Sequence, residues 1–378
     1  MNHLKSRRPG KLKRRLSVRL SRRPLKRLQK DPVTQTFWAA EQEQVESSIS
    51  LDQRFELMRQ WGDSTIAYST VVQPRLQYFV HPSRGKSEPA GFIAYRSRWG
   101  LTFALGDPIA ADKDVREILR QFAAEFKPSF CQVSESTAQI LDSMGYYVNQ
   151  MGVDSILDLP TYDFCGKEKE WLRYAANWIG RRGYTIREAT FDEIDVDEIE
   201  AISEAWRKTR TIKQKEVRFL CRPIVLTDEP DVRKFYLYSP ENDPIAFVYF
   251  DPLYRDGKVF GYVTAIKRRH PDAPLYAEHA IMKHAIELLK NEGVEQIRLG
   301  LSPGAFIENN RFRASRFTNW SFQRGFDSTL INRFFYNLKG HASYKRRFRG
   351  QEEKTYYASP TRIDIPRQLA LIGLCGLA

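Results

Sequence analysis

Between residues 51 and 303 the hydrophobic period of the chain switches repeatedly from two to 3.6 and back, and it does so on both sides of a break at "DLPTYDFCG". Such alternation demands layers, because each strand buries one face and each helix one stripe against a neighbour. The pattern predicts helices over 51–61, 112–126, 167–182, 194–209 and 276–291, with a short one ending at Met144. Strands are expected over 76–80, 91–95, 101–105, 130–133, 153–157, 184–188, 234–238, 245–250, 259–266 and at "QIRLGLSP". Antiparallel-looking runs followed by helices argue for an α/β chain with a sheet of mixed direction in each half. "LGDP" in the first half and "LGLSP" in the second put similar Gly and Pro punctuation after a strand, a hint of a structural repeat.

At 378 residues, two cores are affordable. The net charge of +14 is concentrated at one end, where residues 1–30 hold 13 Lys or Arg and no acid. Leu12, Leu16 and Leu20 recur there at helical spacing among the basic residues, and Pro24 would end that helix. The segment reads as a basic arm, either solvated or laid on phosphates of an anionic membrane or an RNA. No apolar core of signal-peptide length follows it. The terminal "LALIGLCGLA" is half the length a membrane span needs; it could dip into an interface, and is expected rather to pack on the core or stay disordered. Four distant cysteines without a C-x-x-C, and six histidines without ligand spacing, predict a reducing cytoplasm and no metal or other cofactor.

Walker and G-x-G-x-x-G loops are absent, and no G-x-S-x-G nucleophile elbow is expected. What remains is carboxylates, cations and aromatics near strand ends and helix starts, which suits a transferase that positions substrates by charge. Asp107 follows a strand inside "LGDPIA" and is either a site carboxylate or an Asx turn and cap. Glu278 stands in the first turn of a helix, as a site carboxylate or as a partner of the helix dipole. Arg173 and Asn177, four apart, share a helix face that with Arg181 and Arg182 would hold a phosphate or form ordinary polar surface. In "FYNLKGHASYKRRF" the residues Asn337, Lys339, Tyr344, Lys345, Arg347 and Arg349 fall on a helix expected to end near Phe348. Lys345 and Arg349 would share one face, with Tyr344 and Phe348 beside it. A cationic face next to an aromatic one fits a phosphate carrying a flat or apolar group; a buried aromatic ridge with solvated cations is the alternative.

The stretch "FYNLKGHASYKRRFRGQEEKTYYASP" resembles the closing signature of the phosphatidylglycerol lysyltransferase C-terminal domain family, and "LGDPIA", "LRYAANWIGRRGY" and "LGLSPGA" match further family segments in order, over roughly residues 50–360. The resemblance implies two tandem GNAT-like acyltransferase folds: a basic arm over 1–35, a first domain over 36–165, a second with the active site over 166–362, and a short apolar tail over 363–378. It also implies transfer of an aminoacyl group from aminoacyl-tRNA to a lipid head-group hydroxyl, in the cytoplasm and peripheral to the inner face of the plasma membrane. No DNA partner and no cofactor are implied, and the family's membrane flippase portion has no counterpart in this sequence. The matching positions make Glu278 the substrate-site carboxylate, Asp107 the turn carboxylate, and Lys339, Lys345, Arg347 and Arg349 the cations that face lipid or tRNA; Arg173, Asn177, Asn337 and Tyr344 are expected substrate contacts from the residue patterns above. Glu278 replaces the family's Asp, one methylene shorter. Two other readings fit the residues: a soluble GNAT-type enzyme using acyl-CoA or another activated donor, and a non-catalytic module binding anionic lipid or RNA.

Overall fold

The structure, a computed structural model, describes residues 48–82, 88–209, 216–308, 311–334 and 337–376. The arm expected over 1–35 lies outside them. The first helix, α1 (Leu51–Trp61), starts at a capping box in which Ser50 and Gln53 exchange side-chain to backbone bonds. After α2 (Ala67–Val72) come β1 (Gln77–Pro82), β2 (Pro89–Arg98), β3 (Leu101–Leu105) and the short β4 (Ile109–Ala110). The crossover helix α3 (Asp112–Phe126) leads to β5 (Ser129–Val133), then α4 (Glu135–Ser143) and β6 (Tyr147–Asp158) close the half.

The second half begins with a 3-10 turn (Lys167–Lys169), α5 (Glu170–Gly180), β7 (Thr185–Glu188) and α6 (Val196–Lys208). Its sheet strands are β8 (Arg233–Tyr238), β9 (Pro244–Arg255) and β10 (Lys258–Arg269), followed by the crossover helix α7 (Ala277–Asn291) and β11 (Gln296–Pro303). Three helices, α8 (Arg316–Asp327), α9 (Thr329–Phe334) and α10 (Leu338–Arg346), precede β12 (Gln351–Ser359), and α11 (Ile365–Leu374) ends the described chain.

All twelve strands belong to one sheet, in the order β1-β2-β3-β5-β12-β6-β11-β10-β9-β8-β7, with β4 set against β2. The sequence predicts a sheet in each half, and the single sheet has a physical cause. Each half is a run of antiparallel strands (β1-β2-β3 in the first, β7-β8-β9-β10 in the second), a crossover helix and a parallel strand, and the parallel pairings are β3 with β5 and β10 with β11. The closing strand of each half is then inserted into the other: β12 pairs with β5, β6 pairs with β11, and the two pair antiparallel with each other. The repeat is therefore topological. The two Gly and Pro stretches do not mark equivalent places in it, since "LGDP" ends β3 while Gly300 and Pro303 lie within β11, the counterpart of β5.

Helices cover both faces. One core gathers α1, α2, α6 and α11 against side chains such as Phe247, Tyr249 and Ile266; another gathers α5 and α7 against Val248, Phe250 and Tyr262. The apolar tail is α11, whose Ala370, Leu371, Leu374 and Cys375 are buried. Among the described residues no helix is long and apolar enough to cross a membrane, and no group of His, Cys, Asp or Glu is placed to hold a metal.

Candidate active site

The strands β10 and β11 stay together only briefly. They pair over Gly261–Val263 and Gln296–Arg298, and the Thr264 hydroxyl then donates to the Arg298 carbonyl at 3.1 Å. Beyond that point β10 continues along β9 to Arg269 while β11 follows β6 to Pro303, so a wedge opens between two parallel strands. Its backbone carbonyls lack the partner a ladder would supply, and such groups must be satisfied some other way. Lys345, reaching in from α10, does this: its Nζ donates to the carbonyls of Gly300 at 2.6 Å and Leu301 at 2.7 Å. Gly300 has φ +80°, in the left-handed region, where the register against β6 slips.

Burial and then the charge of Lys267 push the Lys345 amine down to about 7, against the pull of Asp154 and Cys221. Burial likewise lowers Lys267, with Glu278 opposing. Asp154 lies on β6 opposite Leu301 and accepts a hydrogen bond from the Thr65 hydroxyl. Burial raises its carboxyl, with Thr65, Lys345 and Arg298 opposing. Two amines and a carboxylate thus share a dry place, the setting in which proton affinities are tuned toward neutrality.

The wall beside the amines is aromatic. The His279 ring lies 4.6 Å from Tyr344 and 6.2 Å, stacked, from Phe348, and Trp171 meets it edge-on at 6.3 Å. Both ring nitrogens of His279 and the Tyr344 hydroxyl are buried without a hydrogen-bond partner. Unmet buried polar groups of this kind are uncommon and point to something that binds there. Burial, then Arg347 and Lys267, push His279 down to about 4, so its imidazole is neutral at neutral pH. Burial and Glu278 raise the Tyr344 phenol well above its ordinary range, with Arg347 opposing. Lys267 sits 5.2 Å over the Tyr344 ring, and Arg347 sits 4.7 Å over Trp171 at the rim.

The structure brings together three of the residues singled out from sequence, Glu278, Tyr344 and Lys345, with Arg347 beside them. Glu278, in the first turn of α7, faces Arg269 at 3.9 Å. The other candidates have different settings. The α10 helix ends at Arg346, and Arg349 has φ +54°, so it turns away from Lys345 to meet Glu168 at 3.5 Å rather than sharing its face. Asn337 caps α10 by accepting from the Gly340 amide at 2.8 Å, and Lys339 pairs with Asp327 at 3.1 Å. Arg173 donates to the carbonyls of Phe164 and Gly166, holding the loop before α5, while Asn177 is exposed on that helix. Asp107, in the first half, accepts from the Ser134 amide at 2.9 Å and is raised by burial, opposed by bonds from Thr137 and Ser134.

Sequence reasoning missed Lys267, His279, Asp154 and Trp171. Lys267 was hidden by a bulge. The β9 register shifts between Thr264 and Ile266, which makes Ala265 an extra residue and reverses the faces beyond it. Tyr262 therefore packs with α7, but Ile266 packs with α6 and Arg268 bonds Ser203 there. Lys267 and Arg269 are thereby turned toward Glu278 and Tyr344. A second signal was passed over: Gly300 to Gly304 has the G-x-S-x-G spacing. Ser302, however, is buried and paired with Val153 at the end of β11, and no helix follows it directly, so the segment forms no strand-to-helix elbow.

Residues 55–359 match the family described as phosphatidylglycerol lysyltransferase, C-terminal. The chain belongs to this family. It is 24% identical over 263 residues to a Bacillus subtilis phosphatidylglycerol lysyltransferase, covering 67% of this chain and 29% of that protein. With the Staphylococcus aureus (strain MRSA252) phosphatidylglycerol lysyltransferase it shares 21% over 265 residues, 68% of this chain and 30% of that one. The chain thus spans less than a third of the length of these relatives. In fold it is similar to L-PGS from Bacillus licheniformis, with a TM-score of 0.70 at 17% identity, covering 88% of this chain and 99% of that one. The C-terminal domain of a putative lysylphosphatidylglycerol synthetase from Agrobacterium fabrum gives 0.67 at 21%, covering 85% and 94%. The matched residues include the part of the chain that builds the wedge, from β10 through α7, β11 and α10.

Proposed function

We propose that the chain is an aminoacyltransferase that moves an aminoacyl group from aminoacyl-tRNA to a hydroxyl of a phospholipid head group at a membrane surface, on a scaffold of two GNAT-like halves. Family membership supports a transferase of this kind. The observation that carries the reading is the wedge between β10 and β11, where Lys345 has a proton affinity near neutral and both of its carbonyl partners fixed.

Transfer between esters needs a proton acceptor, an anion stabiliser and a grip on each substrate. A neutral Lys345 gives both N–H groups to Gly300 and Leu301 and keeps its lone pair for the attacking hydroxyl. As the hydroxyl oxygen bonds the ester carbon, its proton passes to Lys345, and the carbonyl electron pair moves onto oxygen beside the Lys267 ammonium. Collapse expels the ribose oxygen of the tRNA, which takes the proton from Lys345; one ester forms and one breaks, without redox change. Glu278 accepts the α-ammonium of the aminoacyl group, and the His279 and Tyr344 rings pack on its side chain. Arg347, Arg349 and Lys339 meet phosphates. Arg173, Asn177 and Asn337 shape the approach to the site, and Asp107 serves the framework of the first half.

The test supplies the purified protein with radiolabelled aminoacyl-tRNAs and phosphatidylglycerol liposomes and counts label in the organic phase. Glu278→Gln is expected to lower transfer by about a hundredfold or more. Absence of transfer from every aminoacyl-tRNA, with consumption of an acyl-CoA instead, would overturn the reading in favour of a soluble acyltransferase.

A further inference from the structure

The helix α11 is apolar on both sides. Its inner side holds Ala370, Leu371, Leu374 and Cys375. Its outer side carries Ile365, Leu369 and Ile372, spaced i, i+4 and i+7, at 47%, 53% and 41% exposure, and Ile363 just before it is 66% exposed. Pro366 is also exposed, and the polar side chain at the edge of that face, Gln368, is half-buried with its amide nitrogen enclosed. A soluble surface helix normally turns a polar side outward.

The surroundings of this face are cationic. The β2–β3 turn brings Arg98 to the end of α11, where its guanidinium donates to the Gly373 carbonyl at 3.0 Å and lies 4.9 Å over the ring of Trp99. Trp99 itself is 66% exposed. Arg96 is close enough to the Cys375 thiol to oppose the rise that burial causes there. Arg367, on the helix, is largely buried and pairs with Asp364 at 3.7 Å. The acid of the segment, Asp364, is buried and held by Tyr357. An aliphatic stripe, a tryptophan at its edge and arginines around it form the surface that an anionic bilayer interface accepts.

We infer that the outer face of α11, with Trp99, docks this protein onto an anionic lipid surface. The size of the patch separates this occupant from a second copy of the chain. Ten residues make a helix about 15 Å long, and one face about 10 Å wide offers on the order of 150 Å². Stable protein interfaces bury about 1,000 Å² or more in total. Insertion of three aliphatic side chains into a bilayer boundary requires no larger patch, because the gain grows with each buried CH₂. The helix packs on β2 and β3, which β5, β12 and β6 separate from β11 and β10 in the sheet, so the surface is separate from the wedge. Docking is measured without turnover, which keeps its failure distinct from failure of the transferase reading.

The experiment compares full-length protein with a Leu369→Asp, Ile372→Asp double variant in flotation with phosphatidylcholine vesicles containing or lacking phosphatidylglycerol. Both proteins keep the basic residues of the first thirty positions, so any difference belongs to α11. The expected result is binding of wild type to the anionic vesicles and at least about tenfold weaker binding by the variant, with an unchanged melting temperature. Equal binding by both, or none by wild type, overturns the inference. So does a wild-type dimer that the variant dissolves while vesicle binding is unaltered, which would assign the face to a second copy. If the variant melts early, the question passes to Trp99→Phe and vesicles of brominated lipid. Tryptophan quenching in wild type that the variant loses supports docking, and equal quenching in both overturns it.

Discussion

At the scale of single residues, the site is a balance of charges around Lys345. Transfer that needs its neutral amine rises with pH through about 7, because below that value the amine carries a proton. The neighbours set the midpoint in opposite directions. Lys267→Met removes a positive charge that disfavours protonation, so the Lys345 proton affinity increases and the rising limb of the pH–rate profile moves up. Asp154→Asn removes a negative charge that favours protonation, and the limb moves down. A profile that stays fixed in both variants would remove Lys345 from the proton transfer. Part of this balance was legible in the sequence: Glu278 at a helix start, and Tyr344 and Lys345 in a basic aromatic stretch, announce themselves by type and spacing. Lys267 did not, because one additional residue, Ala265, inverts the alternation on which strand faces are read. Arg349 was misplaced for a similar reason, since nothing in its neighbourhood signals a left-handed backbone at a non-glycine residue.

Among elements, glycines fix how closely strands approach and how they part. Gly152 on β6 lies against β11 so tightly that a Cβ would stand 2.2 Å from the Ser302 carbonyl oxygen, a contact backbone cannot relieve by rotating a side chain. Gly300 leaves room, with nothing nearer than the Lys345 amine at 3.7 Å, but its φ of +80° strains any other residue. Gly300→Ala is expected to cost about 1–2 kcal/mol, and Gly152→Ala about 3 kcal/mol or more, measured as shifts in urea midpoint. The reverse order would show that β6 and β11 separate easily. Sequence periodicity located most elements well, and the bounds of α1, β3, α3 and β11 coincide with those expected. It missed α8 and α9, whose mixed charges and rings give no clear apolar stripe, and it shortened β6, which is buried on both faces for most of its length and so hides its period.

For the molecule as a whole, the exchange of closing strands decides how it unfolds. Neither half can complete its sheet alone, since β5 needs β12 and β11 needs β6. Calorimetry should therefore show one transition rather than two, and residues 48–165 and 166–376 made separately should be poorly ordered but fold when combined. Two resolved transitions would mean that the halves are independent domains joined edge to edge. This interlocking could not be read from the sequence, because the pairing of β5 with β12 joins segments more than two hundred residues apart and leaves no local mark.

The same topology sets a timetable for the newborn chain. A ribosome adding about 5–20 residues per second needs roughly 10–40 seconds to go from the end of β6 to the end of β12. Throughout that interval β5 and β6 wait with unpaired edges, open to any strand that arrives first. Among the described strands the one that closes the sheet, β12, is made after all the others, so a chain truncated before β12 loses the first half of its fold as well as the second.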